Sequence, residues 1–212
     1  MLKENSMLSF SNPNEFMNFY EDLDIYGSWK IQSGTLNYRG ESIKDKLYVN
    51  KLRLIFSEKK LFRRNVSIAE IVSWLDSYCL IKRILVLLNE KLKIQELFDN
   101  LEIFCEYKIE LSKDRRIDYI LKYKKKLLLV EFRLSEHFPN MSNLWQKKEL
   151  ELIIYKELMS NYIGEDVRIY LYAFIAMPEF DNKRLLPKNI KYNKDNINYF
   201  CEYIMKYLFD KG

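Results

Sequence analysis

Glycine and proline are scarce in this chain of 212 residues, at five and four respectively, and histidine occurs once. So few backbone-permissive and helix-breaking residues exclude long linkers and low-complexity tracts. The three cysteines, Cys79, Cys105 and Cys201, are far apart, form no CxxC pair and leave one over after any bridge. That pattern argues against a disulfide framework and a structural zinc site, and suits a reducing cytoplasm. Long apolar runs are missing as well. Leu127-Leu128-Leu129-Val130 and the stretch from Tyr170 to Met177 fall far short of the roughly 20 residues that span a bilayer. The polar and acidic residues after Met1-Leu2-Lys3-Glu4-Asn5 leave no apolar core for a secretory leader. The expectation is a cytoplasmic protein with no membrane span. No glycine-rich phosphate loop is present. The lone histidine, His137, sits beside Phe138-Pro139 without a serine or cysteine nucleophile motif, so a hydrolase triad has no support.

What is present is a chain with 48% hydrophobic and 31% charged residues, long enough to bury one good core. A partly helical N-terminal extension over residues 1–66 and a principal domain over 67–212 are expected. The net charge of +5 is compatible with a polyanionic partner but does not require one. Arg63 and Arg64, with Lys59 and Lys60, form the best basic cluster and are candidate phosphate contacts, with a solvated helix face as the alternative.

Periodicity places the elements. Asn12-Pro13 is a capping residue ahead of a proline, and Phe16, Phe19, Tyr20 and Leu23 follow at helical spacing. Asp24 to Gly40 reads as irregular or hairpin-like, and Ile43 to Leu61 fits a helix imperfectly. Ser67-Ile68-Ala69-Glu70 has capping-box form and opens an apolar periodic run whose first clear stop is Phe98-Asp99-Asn100. The period then changes to two. Leu101, Ile103, Cys105, Tyr107, Ile109 and Leu111 alternate with mostly polar residues, as in a half-buried strand. A second strand spans Arg116 to Tyr123, and Lys124-Lys125-Lys126 reverses the chain into a third, Leu127 to Leu134. Leu144, Leu150, Ile153, Ile154, Leu158 and Tyr162 mark a helix closing near Gly164. Val167 to Ala176, too apolar for a wet edge, is a fourth strand, and a last helix lies around Ile197 to Phe209. The order helix, three-stranded meander, helix, strand defines an α/β architecture with a crossover helix between the third and fourth strands.

Two acidic residues interrupt apolar strands: Asp118 in Arg116-Ile117-Asp118-Tyr119-Ile120-Leu121 and Glu131 in Leu129-Val130-Glu131-Phe132-Arg133. Carboxylates placed amid strand residues need a cation, a hydrogen-bond network or solvent. Two of them, with a backbone carbonyl and waters, suit magnesium. The structural alternative is an ion-pair network with Arg115, Arg116 or Arg133.

On these residues the chain resembles the PD-(D/E)xK, or restriction-endonuclease-like, nuclease superfamily over about residues 90 to 177. That family has an aspartate on the second core strand, (D/E)-x-K on the third, and then a helix and a strand. Here Asp118 matches the aspartate and Glu131-Phe132-Arg133 matches (D/E)-x-K with arginine for lysine, while the proline of the family's name is absent. The resemblance implies that Asp118 and Glu131 hold Mg2+ or Mn2+, with Glu96, preferred over Glu90, as a further metal ligand from the preceding helix. It implies that Arg133 stabilises phosphate charge without serving as a base, and that Lys147 or Lys148 supplies the displaced ammonium, Lys147 being the candidate taken forward. In the family's QxxxY pattern Glu151 would take the glutamine position and Tyr155 the tyrosine; Lys147, Glu151 and Tyr155 are spaced four apart on one helix face, and taken alone Glu151 and Tyr155 read as solvent-facing. Arg116 joins Arg63 and Arg64 as a nucleic-acid contact. The function implied is hydrolysis of phosphodiester bonds, with DNA as the expected partner, in restriction, repair or defence against mobile elements. The alternative is a weakened nuclease-fold subunit that binds nucleic acid or a protein, as a homodimer or in a larger complex.

Overall fold

A computed structural model describes residues 1–23, 35–61, 65–110, 115–134, 141–176 and 195–209. These residues form a mixed α/β fold around one five-stranded sheet. The strands are β1 (Ser6–Phe10), β2 (Glu102–Lys108), β3 (Arg116–Tyr123), β4 (Lys126–Leu134) and β5 (Arg168–Ala176), and they lie in sequence order across the sheet. The helices are α1 (Pro13–Asp22), α2 (Leu36–Glu41), α3 (Leu47–Lys59), α4 (Ile68–Lys91), α5 (Gln95–Asp99), α6 (Met141–Ser160) and α7 (Asp195–Ile204), which runs into a π-helical turn at Met205–Phe209. The expected order of helix, three strands, helix and strand is met by α4, β2, β3, β4, α6 and β5.

Local chemistry explains the helix starts. The Asn12 side chain accepts from the Glu15 amide at 3.0 Å with Pro13 behind it. Ser67 and Glu70 form the reciprocal capping box, at 3.2 and 3.1 Å, that opens α4. The run that follows is one helix to Lys91, and a separate short turn, α5, carries the chain to β2. At the other end of α4 from its stop, Gly40 of α2 crosses so close that an added Cβ would stand 2.7 Å from Ile68. Arg39 of the same turn is thereby delivered to Asp76 of α4.

The described residues up to Val66 are built into this core. β1, which lacks a clean alternation because nearly all of it is buried, pairs antiparallel with β2 through Ser6↔Tyr107, Leu8↔Cys105 and Phe10↔Ile103. Phe16 and Tyr20 of α1 join the same apolar cluster as Trp74, Leu75 and Tyr78 of α4. α2 replaces the irregular reading over Leu36–Gly40, and residues 24–34 of that stretch lie outside the described residues.

Both faces of the sheet are covered, so β2 is not half-buried: Phe104 and Glu106 are as enclosed as Ile103 and Cys105. Ile103, Cys105, Tyr119, Leu121, Leu128 and Val130 pack toward α1 and α4. Phe104, Tyr107, Ile117, Ile120, Leu127 and Leu129 pack toward Leu152, Tyr155 and Met159 of α6. β3 pairs antiparallel with β2 and β4, and β5 pairs parallel with β4 across the α6 crossover. Among the described residues β5 is the last strand of the sheet, whereas its apolar composition reads as too apolar for a wet edge; Tyr172 and Phe174 on it pack against Phe200 and Tyr203 of α7.

The stripe that α6 turns to the sheet differs from the expected one. Leu150, Ile153 and Ile154 are exposed, while Leu152, Tyr155 and Met159 are buried. Spacings of three and four along that buried stripe, continued one turn back from Leu152, reach Lys148.

Candidate functional site

The β2–β3–β4 meander changes character at one level. Cys105↔Tyr119 and Tyr107↔Ile117 are consecutive pairs on one face of a regular ladder, yet the first pair packs toward α4 and the second toward α6. The ribbon turns over between them, at Glu106, whose φ of 52° is left-handed, and at Asp118 opposite it. The β3–β4 register ends at Tyr119↔Val130, and one step further come Asp118 and Glu131. There each carboxylate bonds the other strand: the Phe132 amide donates to Asp118 Oδ2 at 2.7 Å, and the Asp118 amide donates to Glu131 Oε1 at 3.3 Å. Two adjacent acids are thus fixed by backbone donors.

Lys148 of α6 completes the group. Its Nζ lies 2.5 Å from Glu131 Oε2 and 2.8 Å from Glu151 Oε2. Glu131 is 2% exposed, so this ammonium supplies the cation that a buried carboxylate demands. Burial, reinforced by the Asp118 charge, pushes the Glu131 carboxyl well above its usual range, with Lys148 opposing. Burial also raises Asp118, opposed by Lys148, the Phe132 amide and Arg116. For Lys148 burial works to lower the ammonium, but the Glu131 and Asp118 charges outweigh it and raise it. Tyr155, buried on the same helix, is pushed up to about 12 by burial and by the Glu131 and Glu151 charges, so its hydroxyl keeps its proton.

A second group adjoins on the α4 side. Arg116 reaches Glu70 Oε1 at 2.8 Å and Glu106 Oε2 at 2.9 Å. Glu70 therefore divides its oxygens, Oε2 to the cap and Oε1 to Arg116. Burial pushes Glu106 up to about 8, with Arg116 and the Trp74 indole pulling it down and the Asp118 and Glu70 charges pushing it up.

The sequence candidates divide accordingly. Asp118 and Glu131 come together; Lys148 pairs with Glu131, and the Arg116 charge bears on Asp118 while its guanidinium pairs with Glu70 and Glu106. Lys147 is exposed and its neighbour Lys148 is the residue that enters, because one step along a helix rotates a side chain by about 100°. Glu151 and Tyr155 are drawn into the group, against the solvent-facing reading. Arg133 is exposed, two residues beyond Glu131 on the same strand face. Glu96 is exposed on α5, which feeds into β2 at Glu102; Glu102 pairs with Lys122, four residues or about 13 Å along β3 from Asp118. It does not join Asp118 and Glu131, and Glu90 lies at the same far end of α4. The helix glutamate near the site is Glu70. Arg116 pairs with two carboxylates, Glu70 and Glu106, and its side chain is 19% exposed. Arg63, Arg64 and His137 lie outside the described residues. Glu70 and Glu106 went unrecognised as site residues: the first already had a role as a cap, and the second is visible only when β2 and β3 are set in register.

Among the described residues no set of three or more His, Cys, Asp and Glu side chains is disposed as a metal cage. Magnesium does not need one, since it keeps several waters and binds through one or two carboxylates and substrate phosphates. The hard oxygens of Asp118 and Glu131 fit such an ion in donor chemistry, and the Lys148 ammonium lies between Glu131 and Glu151. Among the described residues no helix is long and apolar enough to cross a membrane. No protein-family model, curated protein or solved structure matches the chain.

Proposed function

We propose that this chain is a metal-dependent nuclease-like protein of the PD-(D/E)xK kind, with a restriction-endonuclease-like core formed by α4, β2, β3, β4, α6 and β5. The observation that carries the reading is the convergence of Asp118, Glu131 and Lys148 at the junction of β3, β4 and α6. Asp118 and Glu131 would hold Mg2+ or Mn2+. Bound there, the ion supplies Lewis-acid polarisation of a phosphate and a water of lowered pKa. Lys148 takes the place of the lysine that Arg133 replaces in sequence, and brings an ammonium to the two carboxylates from the following helix. Arg133, exposed and permanently charged, faces the phosphate of an arriving strand and counters its developing charge. Tyr155 retains its proton and serves as a hydrogen-bond donor. The substrate is nucleic acid, with DNA expected, in restriction, repair or defence against mobile elements.

The purified chain, incubated with Mn2+ or Mg2+ and single- and double-stranded DNA and RNA, is expected to cut at least one of them. Asp118→Ala, Glu131→Ala and Lys148→Ala each remove that activity. Cutting that survives all three substitutions places the chemistry elsewhere.

A second reading draws on the same salt bridge. Lys148 already neutralises Glu131, and Arg133 stands where a lysine is expected, as in a subunit that has kept the fold for binding nucleic acid or a protein and given up hydrolysis. Binding of DNA without cleavage, unchanged by Asp118→Ala, favours it.

A further inference from the structure

Resting on the metal-site reading above, we propose that Lys148 is a tethered counter-cation, which neutralises Glu131 and Glu151 in the metal-free protein and gives up those carboxylates when a divalent cation binds. The geometry of α6 explains why it is there. The stripe Lys148, Leu152, Tyr155 and Met159 faces the sheet, with Leu152 and Met159 fully buried. The register of that stripe sets the lysine stem against β4 and leaves the ammonium to find Glu131 at 2.5 Å and Glu151 at 2.8 Å.

Three features make this bond exchangeable. Lys148 is 21% exposed on its side chain, so a way out to solvent exists, and its four-carbon stem is flexible. Its charge is smaller than the site's: Asp118, Glu131 and Glu151 together carry three negative charges when ionised, against one ammonium. A divalent ion neutralises more of that charge at the same position. The released ammonium stays covalently attached at the edge of the site, where a phosphate of the substrate would meet it. Metal binding and presentation of the lysine are thereby a single event, with Arg133 outside it.

The buried pair Arg39–Asp76 differs in exposure and in geometry. There the guanidinium meets the Asp76 carboxylate through two bonds, at 2.7 and 2.5 Å, and neither side chain is more than 7% exposed. It is a pair built to stay.

The test is calorimetric titration of the full chain with Mn2+, free of nucleic acid, for the wild type, Lys148→Gln, Lys148→Arg and Asp118→Asn. Removing the competing charge in Lys148→Gln is expected to lower the Mn2+ dissociation constant by about tenfold or more, the size of one charge acting at contact distance in a partly screened site. Lys148→Arg, which keeps the charge, stays within a few-fold of wild type, and Asp118→Asn weakens binding. Lys148→Gln leaves Glu131 unpaired and is exposed to folding loss, so a measurement on the wild type accompanies it. The rate at which a small amine-reactive ester acylates Lys148, read by peptide mass spectrometry, rises several-fold when Mn2+ is saturating. Equal Mn2+ affinity in wild type and Lys148→Gln, or acylation indifferent to bound Mn2+, overturns the displacement while a weakened Asp118→Asn leaves the metal site standing. Absence of Mn2+ binding in wild type and Lys148→Gln alike overturns both.

Discussion

Arg39 with Asp76, beside α4, and Lys148 with Glu131 and Glu151, beside α6, are ion pairs that each enclose a buried carboxylate, yet they are built differently. In the first, one guanidinium meets one carboxylate in a two-bond geometry that leaves Asp76 wholly enclosed. In the second, a single ammonium serves Glu131 and Glu151, with Asp118 alongside. Arg116 is likewise shared, between Glu70 and Glu106, and at 19% exposure its side chain is about as open as that of Lys148. A charge pair kept for structure closes on itself, because any excess charge left in the interior costs several kcal/mol. On the metal-site reading proposed above, the carboxylates gathered around Lys148 are where a cation from outside is expected.

The sharpest way to break the comparison is at the closed pair. Asp76→Ala is expected to cost about 3–5 kcal/mol by chemical denaturation, because it removes the two-bond partner of a buried guanidinium. Mn2+ affinity per folded molecule should stay at the wild-type value; a parallel loss of both would mean that the two groups are one network. Next comes the α6 stripe. Leu152→Ala is expected to destabilise by about 2–5 kcal/mol, whereas Ile153→Ser and Ile154→Ser stay within about 0.5 kcal/mol. Comparable costs at all three positions would remove the basis for placing Lys148 against the sheet.

The open groups should also respond to pH in a set direction. Glu106 is raised to about 8 in the folded chain, above the ordinary carboxylate range of the unfolded chain. The folded state then binds more protons between about 4.5 and 8, so stability is greatest at the acid side of that window and falls as pH rises through it. Glu106→Gln should flatten that slope, which unfolding curves across the window can measure. A slope unchanged by the substitution would assign it to Asp118 and Glu131, whose shifts run the same way. The smallest effect is expected at Arg133: Arg133→Lys leaves stability unchanged within about 0.5 kcal/mol because the residue is exposed. A several-fold gain in cleavage on that substitution would show Lys148 to be an imperfect replacement.

Much of this arrangement is legible in the sequence, and the reasons for the rest are specific. The capping residues at Asn12 and Ser67 announce their helices because the cap bonds are local. The change of period near Leu101 announces the meander, and a short lysine-rich reversal brings Asp118 opposite Glu131 without any tertiary information. The rotation of α6 is hidden, since Leu150, Ile153 and Ile154 are as apolar as Leu152 and Met159, and only the partner surface selects one stripe. Lys147 and Lys148 are indistinguishable until that rotation is known. β1 carries too little alternation to stand out from coil, and the long helix α4 sends Glu70, not Glu90 or Glu96, to the site because its two ends lie about 36 Å apart.

The most direct measurement is an anomalous difference map from crystals equilibrated with Mn2+. The account predicts a peak between the carboxylates of Asp118 and Glu131, with the Lys148 ammonium withdrawn from Glu131. Crystals in which no peak forms there at Mn2+ concentrations that support cleavage, with Lys148 still bound to Glu131, would contradict it.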